Sequence, residues 1–194
     1  MTEYPDVLKF WFGDPAGTEF GSHRAAWFEK DAAFDAEIRD RFGRHVAKAS
    51  AGGYDSWQET VEGTLALIVT LDQFPRNIFR GLPKAYSADA KARSIARRAV
   101  DRGVDRQLMT VQRLFVYLPF EHSENLADQR HCVALYSQIL PDFDENFREK
   151  AHFSVHRHCE IIERFGRFPH RNETLGRRST ANELAFLKEP RSSF

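Results

Sequence analysis

Residues 64–71 read Thr-Leu-Ala-Leu-Ile-Val-Thr-Leu and carry no charged side chain. On a helix this run is apolar on nearly every side, and such a helix is stable only when other elements cover it. We therefore predict that it lies at the centre of the fold.

Helical segments separated by short breaks precede and follow this run. The Ser56/Glu59 and Thr180/Glu183 pairs have the spacing of capping boxes, and Pro119 is expected to end the helix before it. No segment alternates like a strand. The predicted helices cover 5–12, Asp31 to just before Gly52, Ser56 through the central run, Ser87 to about Arg102, about 106–118, 124–140, 143–165 and Thr180 through Leu187.

The composition also favours helices. Ala and Leu outnumber Val and Ile by about two to one, and the first pair favours helices whereas the second favours strands. Antiparallel helix pairs of this length are typical of tetratricopeptide stacks, although the consensus of about 34 residues is absent. We predict a single all-α domain over residues 1–194, with about 8–9 helices stacked in antiparallel pairs as a tetratricopeptide-like right-handed superhelix.

The charge balance excludes two classes of partner. The 28 basic and 28 acidic residues leave a formal net charge of zero, so we expect neither nucleic-acid nor membrane-surface binding. The longest run without a charged side chain, 131–141, is too short to cross a bilayer. The first residues lack the basic start and apolar run of a secretory signal. We therefore expect a cytoplasmic protein.

The first of three polar segments is 71–81. Asp72 is expected at the end of the central helix, where a carboxylate opposes the helix dipole, so it needs a cationic partner such as Arg76 or Arg80. The segment is either a structural ion pair that locks a proline turn or part of a ligand site. Its candidate site residues are Asp72, Gln73, Arg76 and Asn77.

The second segment is 113–124, in which Pro119 is expected to leave a short polar turn. A histidine beside carboxylates is typical of a general base or a metal ligand. Ser123 can cap the next helix and Glu124 can lie at its positive end, which leaves Glu121 and His122 unexplained. The candidate site residues are Tyr117, Glu121, His122 and Glu124.

The third segment, 156–178, has five arginines against one glutamate between positions 164 and 178. Arginines on an irregular backbone suit a phosphate or carboxylate ligand, and they equally suit buried carboxylates of the chain, so both alternatives stay open. We expect Arg164, on the helix end, to be structural and Arg171, beyond Pro169, to face a ligand. The candidate site residues are Arg164, Arg167, His170, Arg171 and Asn172.

The long helix carries two further stripes. The predicted core stripe consists of Phe147, Ala151, Val155, Cys159 and Ile162. His158 borders it and is interpreted as a core histidine. The neighbouring stripe, with His152, His156, Glu160, Glu163 and Arg167, is interpreted as a solvated, salt-bridged face.

Metal binding by the second stripe is the alternative, because two histidines four residues apart can bind zinc. The HExxH arrangement is absent, however, and the only two cysteines, Cys132 and Cys159, lie on separate predicted helices. We therefore expect no cofactor and no tightly bound zinc or iron.

The three polar segments resemble those of a bacterial family, domain-of-unknown-function family 924. The similarity extends from Val7 to Leu187 and is most specific at 71–77, 117–124 and 164–172. The resemblance implies an all-helical, tetratricopeptide-like superhelix and carries no established activity. The family pattern has a histidine three residues before paired isoleucines, here His158, which implies a site role for His158 rather than for His152 or His156.

Two functions fit a cleft at which the three segments meet. One is a binding protein for a small anionic ligand or a peptide carboxylate. The alternative is a metal-independent acid–base enzyme, a hydrolase or isomerase, in which Glu121, His122, His158 and His170 carry protons and Asp72 orients one of them. Because nucleophile-elbow, phosphate-loop and dinucleotide motifs are absent, we prefer the binding function over the enzyme function. The sequence does not indicate an oligomeric state.

Overall fold

The computed structural model describes residues 4–18 and 20–193, so the expected lack of a secretory signal rests partly on residues 1–3, outside the described residues. The described residues form eight α-helices and no strand, which confirms the all-α class. No described helix is long and apolar enough to cross a membrane. The helices are α1 Tyr4–Phe12, α2 Ala32–Ser50, α3 Val61–Ile78, α4 Asp89–Asp101, α5 Thr110–Glu121, α6 Leu126–Ile139, α7 Glu145–Phe165 and α8 Ala181–Phe186.

The described chain is arranged as two compact units. The first contains the residues up to Arg80 together with Lys84–Pro119, and the second contains Gly81–Pro83 and the residues from Phe120 onward. Helices α1–α4 and most of α5 therefore belong to the first unit. The last two residues of α5 belong to the second unit, with α6, α7 and α8.

Helix α3 is the centre of the first unit, and its burial agrees with the prediction of a helix covered on all sides. Every residue from Leu65 to Leu71 is fully buried, and α1, α2 and α4 all pack against α3. Aromatic rings complete its cover: Phe74 lies 4.8 Å from Phe42 of α2 and 5.6 Å from Trp11 of α1, measured between ring centres. The apolar surface of α3 is thus removed from water on all sides, which is the main favourable contribution to folding.

Several helix starts differ from the sequence prediction because other residues occupy the cap positions. The Thr60 hydroxyl accepts a hydrogen bond from the Gly63 amide at 3.0 Å and so caps α3, while the Ser123 hydroxyl donates to Asp128. The predicted capping box of Thr180 with Glu183 is confirmed. The N-caps of α3, α4 and α6 are Thr60, Ala88 and Asn125, in place of Ser56, Ser87 and Ser123.

Two prolines lie inside helices, so the predicted breaks at Pro75 and Pro119 are wrong. A proline removes one amide donor from the helical ladder. The residues around both prolines are nonetheless buried, and their packing keeps the helix continuous. Asp72 consequently lies inside α3 rather than at its end, and Glu121 is the last residue of α5 rather than part of a turn.

In the second unit, α6 packs against α7, the longest helix. The chain leaves α7 through Gly166, whose φ of 68° is the left-handed conformation that favours glycine at a helix end. Phe168 and Phe186 then pack against Ile161 and Ile162. The predicted core stripe is buried at Ala151, Val155, Cys159 and Ile162, whereas Phe147 is half-buried.

Substitution of Leu67→Ala should lower the free energy of unfolding by about 2–5 kcal/mol, because it removes buried methyl groups and leaves a cavity. The control Leu184→Ala, at a side chain that is 54% exposed, should change it by less than about 0.5 kcal/mol. Urea denaturation measures both values. Equal losses in the two variants would contradict a central position for α3.

Candidate functional site

The predicted site residues are divided between the two units. The first unit holds Asp72, Gln73, Arg76, Asn77 and Tyr117. The second holds Glu121, His122, Glu124, His158, Arg164, Arg167, His170, Arg171 and Asn172. That both groups meet around one cleft stays a prediction.

Asp72 is fully buried, and Arg76 is its cationic partner. The Arg76 guanidinium lies 3.4 Å from the Asp72 carboxylate and binds both oxygens of Asp89 at 2.9 Å. Burial lowers the pKa of Arg76, but the charges of Asp72 and Asp89 outweigh burial and raise it. The Gln73 amide donates to Asp72 at 2.6 Å. These contacts fit the structural alternative for this segment.

Asn77 and Tyr117 also have partners within the first unit. The Asn77 amide donates to Asp35 at 2.7 Å, and Asp35 also accepts two hydrogen bonds from Arg80. The Tyr117 hydroxyl donates to Asp105 at 2.6 Å. Burial, together with this hydrogen bond, raises the pKa of Tyr117 to about 12. Tyr117 is therefore a neutral hydrogen-bond donor at pH 7.

Glu121 lies at the centre of a buried polar cluster in the second unit. The Tyr136 hydroxyl of α6 donates to Glu121 Oε2 at 2.7 Å, and the Ser154 hydroxyl of α7 donates to Oε1 at 2.8 Å. His158 Nδ1, one turn beyond Ser154, lies 3.2 Å from the same Oε1. We call Glu121, Tyr136, Ser154 and His158 the Glu121 cluster.

The contacts of His158 indicate which ring nitrogen carries its proton. Nδ1 lies 2.9 Å from the Ser154 carbonyl oxygen and 3.2 Å from the Glu121 carboxylate. Both are acceptors, so Nδ1 is the donor. Burial lowers the pKa of His158, although the charge of Glu121 opposes it. The ring is therefore neutral at pH 7 with Nε2 as an acceptor, the state that a general base requires.

Glu124 forms an ion pair that ties the start of α6 to the segment after α7. Both of its oxygens accept hydrogen bonds from Arg177, at 2.6 and 2.9 Å, and Oε1 also accepts from the Phe168 amide at 2.8 Å. Burial raises the pKa of Glu124, but these bonds outweigh it and leave the pKa lowered. Glu124 therefore stays ionised at neutral pH as a structural anion.

The basic segment pairs largely with carboxylates of the chain itself. Arg167 donates to Glu183 at 2.6 and 2.8 Å, and these bonds lower the pKa of Glu183 to about 2. The Asn172 amide donates to the Ser179 hydroxyl at 3.0 Å. Arg76, Arg167 and Arg177 thus each pair with a carboxylate of the chain, which fits the internal-carboxylate alternative.

Arg164 and Arg171 differ in exposure. Arg171 is only 6% exposed, donates to the His122 carbonyl oxygen at 2.9 Å and lies 4.4 Å over the Phe168 ring. Arg164 is half-exposed, and its nearest carboxylate contact is Glu189 at 3.8 Å. A buried guanidinium that holds a loop carbonyl contributes to the framework, so these contacts fit a structural role for Arg171, and a ligand-facing role for it stays a prediction.

His170, next to Arg171 in sequence, has a strongly lowered pKa. Burial first, and then the positive charge of Arg171, lower the pKa of His170 to about 3. Its ring lies 5.6 Å from that of Phe168. His170 is therefore neutral at pH 7 and supplies no positive charge to an anionic ligand.

Tyr136 and Ser154 contact Glu121 but escaped sequence prediction. Ser154 lies four residues before His158, on the same face of α7, and this spacing is a signal that could have found it. Tyr136 has no comparable signal, because its contact with Glu121 joins two helices through tertiary packing.

A second polar surface lies on another face of α7. The ring centres of His152 and His156 are 4.3 Å apart, and Glu163 pairs with Arg130 at 3.0 Å, in keeping with a solvated, salt-bridged face. Among residues 4–18 and 20–193, no group of three or more His, Cys, Asp or Glu is suited to hold a metal ion. The surface is a groove of about 630 Å³, lined in part by His152, His156, Cys159, Glu160 and Glu163.

The chain is similar to other bacterial proteins along nearly its whole length. A family model described as "Bacterial protein of unknown function (DUF924)" matches residues 7–191. A solved structure of a protein of unknown function, ATU0120 from Agrobacterium tumefaciens, is 39% identical, with a TM-score of 0.82 over 96% of this chain and 97% of that one. No curated protein matches the chain.

Arg171→Gln should lower the free energy of unfolding by about 2–3 kcal/mol, because it removes a buried charged hydrogen bond and ring packing. Arg164→Gln should cost less than about 1 kcal/mol, as expected of an exposed ion pair. Urea denaturation, and melting temperatures with and without phosphate, measure both effects. An Arg171→Gln variant of full stability that loses phosphate-induced stabilisation would restore a ligand-facing role.

Stability should fall as the pH drops below about 6.5, the ordinary pKa of histidine. The pKa of His170 is about 3 in the native chain, so between these two values the unfolded chain binds a proton that the native chain excludes. This difference should lower the free energy of unfolding by about 1.4 kcal/mol for each pH unit below about 6.5. Denaturation at several pH values should show that the free energy of unfolding depends less steeply on pH in His170→Gln than in the wild type. The control His23→Gln, at an exposed position, should behave like the wild type. An unchanged slope in His170→Gln would refute this assignment.

Proposed function

The chain belongs to the bacterial protein family of unknown function DUF924, and we propose from its geometry that it is an acid–base enzyme of the hydrolase or isomerase type. The reacting group is the His158 imidazole, which takes up a proton from the substrate or from a water molecule that attacks the substrate. Glu121 acts through His158 as a positioning residue.

One observation carries this proposal: Glu121 accepts from Tyr136 and Ser154 and lies 3.2 Å from His158 Nδ1. A carboxylate that holds one imidazole nitrogen protonated leaves the other as the proton acceptor and stabilises the imidazolium that forms. The hydroxyls of Tyr136 and Ser154 fix the carboxylate on both oxygens. His158 therefore has a defined tautomer and a defined orientation before any substrate binds.

The surroundings of His158 also suit a base at neutral pH. Burial lowers its pKa in the free protein, so the imidazole is unprotonated and able to accept. Once Nε2 takes a proton, the nearby Glu121 charge stabilises the cation, and the proton can then be returned to the product. Ser154, which is partly exposed, is where the cluster comes nearest to solvent.

Binding of a small anion or a peptide carboxylate is the second candidate function. The observation that favours it is the positive charge of buried Arg171 beside His170, which helps to lower the pKa of His170. Against it, Arg76, Arg167 and Arg177 already pair with carboxylates, so fewer cations are available to an anionic ligand. We therefore rank acid–base chemistry first.

The chemical test is incubation of the purified chain in D₂O with a panel of small esters, amides, hydroxy acids and keto acids, followed by proton NMR. An isomerase replaces a substrate C–H with deuterium, and a hydrolase releases the cleaved products, so one measurement detects both. His158→Gln should lower the rate by a factor of roughly 10²–10⁴, the usual contribution of a general base. His23→Gln, at an exposed position of the first unit, should retain the wild-type rate.

A substrate-free measurement tests the same assignment. NMR of the chain labelled with ¹⁵N-histidine should place the His158 proton on Nδ1, and Glu121→Gln should change this tautomer population. A His158 ring with its proton on Nε2, or a His158→Gln variant that keeps the wild-type rate, would exclude His158 as the base.

A further inference from the structure

His152 and His156 lie on the side of α7 away from the Glu121 cluster. Residues four apart on an α-helix are about 40° apart around its axis, so His152 and His156 share one face. Ser154 and His158 fall close to the opposite face by the same geometry. His152 and His156 are both exposed, whereas Ser154 and His158 contact Glu121. The His152/His156 pair is therefore chemically independent of the Glu121 cluster.

The distance between the two rings fits a shared metal ion. An imidazole nitrogen lies about 2.0–2.1 Å from a bound divalent ion. This places each ring centre about 3.2 Å from the ion, so two rings at right angles around the ion would have centres about 4.5 Å apart and two rings at a tetrahedral angle about 5.2 Å apart. The observed distance is 4.3 Å. The spacing thus suits neighbouring positions of an octahedral or tetragonal ion better than a tetrahedral one.

The remaining polar side chains of the groove have partners of their own. Glu160 binds Arg157 at 2.9 Å and Glu163 binds Arg130 at 3.0 Å. No cluster of three or more potential ligands exists in the part of the chain that the structure describes. The protein would therefore provide two nitrogens, and water would fill the other positions in the open groove of about 630 Å³.

We propose that His152 and His156 chelate one divalent transition-metal ion that prefers right-angle coordination, such as Ni²⁺, in this groove. The ion is exchangeable, in contrast to the closed, tightly bound site that the sequence argues against. Its two ligands lie one turn apart, so the ion clamps α7 in the helical form. Because metal binds the folded helix, it stabilises the chain by mass action.

The test is titration of the untagged chain with Ni²⁺, by calorimetry and by melting temperature. Ni²⁺ is the probe because Cu²⁺ can oxidise a thiol, and Cys159 lines the same groove. We expect one Ni²⁺ per chain and a melting temperature that rises with Ni²⁺ concentration. His152→Asn and His156→Asn should each weaken binding by more than about tenfold, since loss of even an outer-shell partner costs about that much.

A matched control keeps the number of exposed imidazoles on α7 constant. His152→Asn combined with Lys150→His leaves two histidines six residues apart, on different faces of the helix, and Lys150 is itself exposed. This variant should bind Ni²⁺ as weakly as His152→Asn. Binding equal to that of the wild type, or no binding by the wild type at millimolar Ni²⁺, would overturn the proposal. Neither result bears on His158, whose tautomer and rate are measured separately.

Discussion

A carboxylate removed from water must regain hydrogen bonds or lose its charge, and this requirement organises the second unit around Glu121. Its two oxygens accept from Tyr136 of α6 and Ser154 of α7, so α6 and α7 must both present a hydroxyl to the end of α5. The Gln129 amide strengthens this junction by donating to the carbonyl oxygens of Glu121 and Ser123 at 2.6 and 2.7 Å. A shift of either helix would leave a buried polar group without its partner. That penalty is larger than the net gain from forming one hydrogen bond.

Ion pairs fix the rest of this unit in a similar way. The segment from 164 to 178 is basic when read alone, yet two of its arginines, Arg177 and Arg167, pair with Glu124 and Glu183, which lie outside it in sequence. Partly buried pairs of this kind add little net stability, because desolvation offsets their attraction, but breaking one leaves an uncompensated charge. The arginines therefore hold an irregular segment in place after α7. The neighbouring histidines His158 and His170 are neutral imidazoles at pH 7.

Local signals in the sequence were sufficient for the helices and for one of the predicted caps. The apolar run of α3, the helix start after Asp31 and the Thr180/Glu183 box each depend on neighbours a few residues away, and each appears in the structure. The predictions at Pro75 and Pro119 were wrong because they applied the local rule that proline ends a helix. Burial of the surrounding residues keeps both helices continuous, and this burial exists only in the folded chain. The same distinction between local signals and tertiary packing applies to the candidate site. Glu121 and His158 stand out by residue type and resemblance, whereas Tyr136 joins them through packing between helices, which no spacing in the sequence encodes.

The three histidines of α7 differ in their chemistry because one is buried and two are exposed to solvent. His158 faces the interior, where burial lowers its pKa and Glu121 fixes its orientation, so its ring is prepared for a single directed proton transfer. His152 and His156 face solvent, where neither ring is held by a carboxylate in the contacts described and both are accessible from the groove. The His158 ring is thus held in one orientation but has little access to solvent, whereas the rings of His152 and His156 are accessible but not held in one orientation. Helical periodicity brings both onto α7, because residues two apart lie on nearly opposite sides while residues four apart share one side. One helix can thus carry a buried proton-transfer group and an exposed ligand pair without either altering the other.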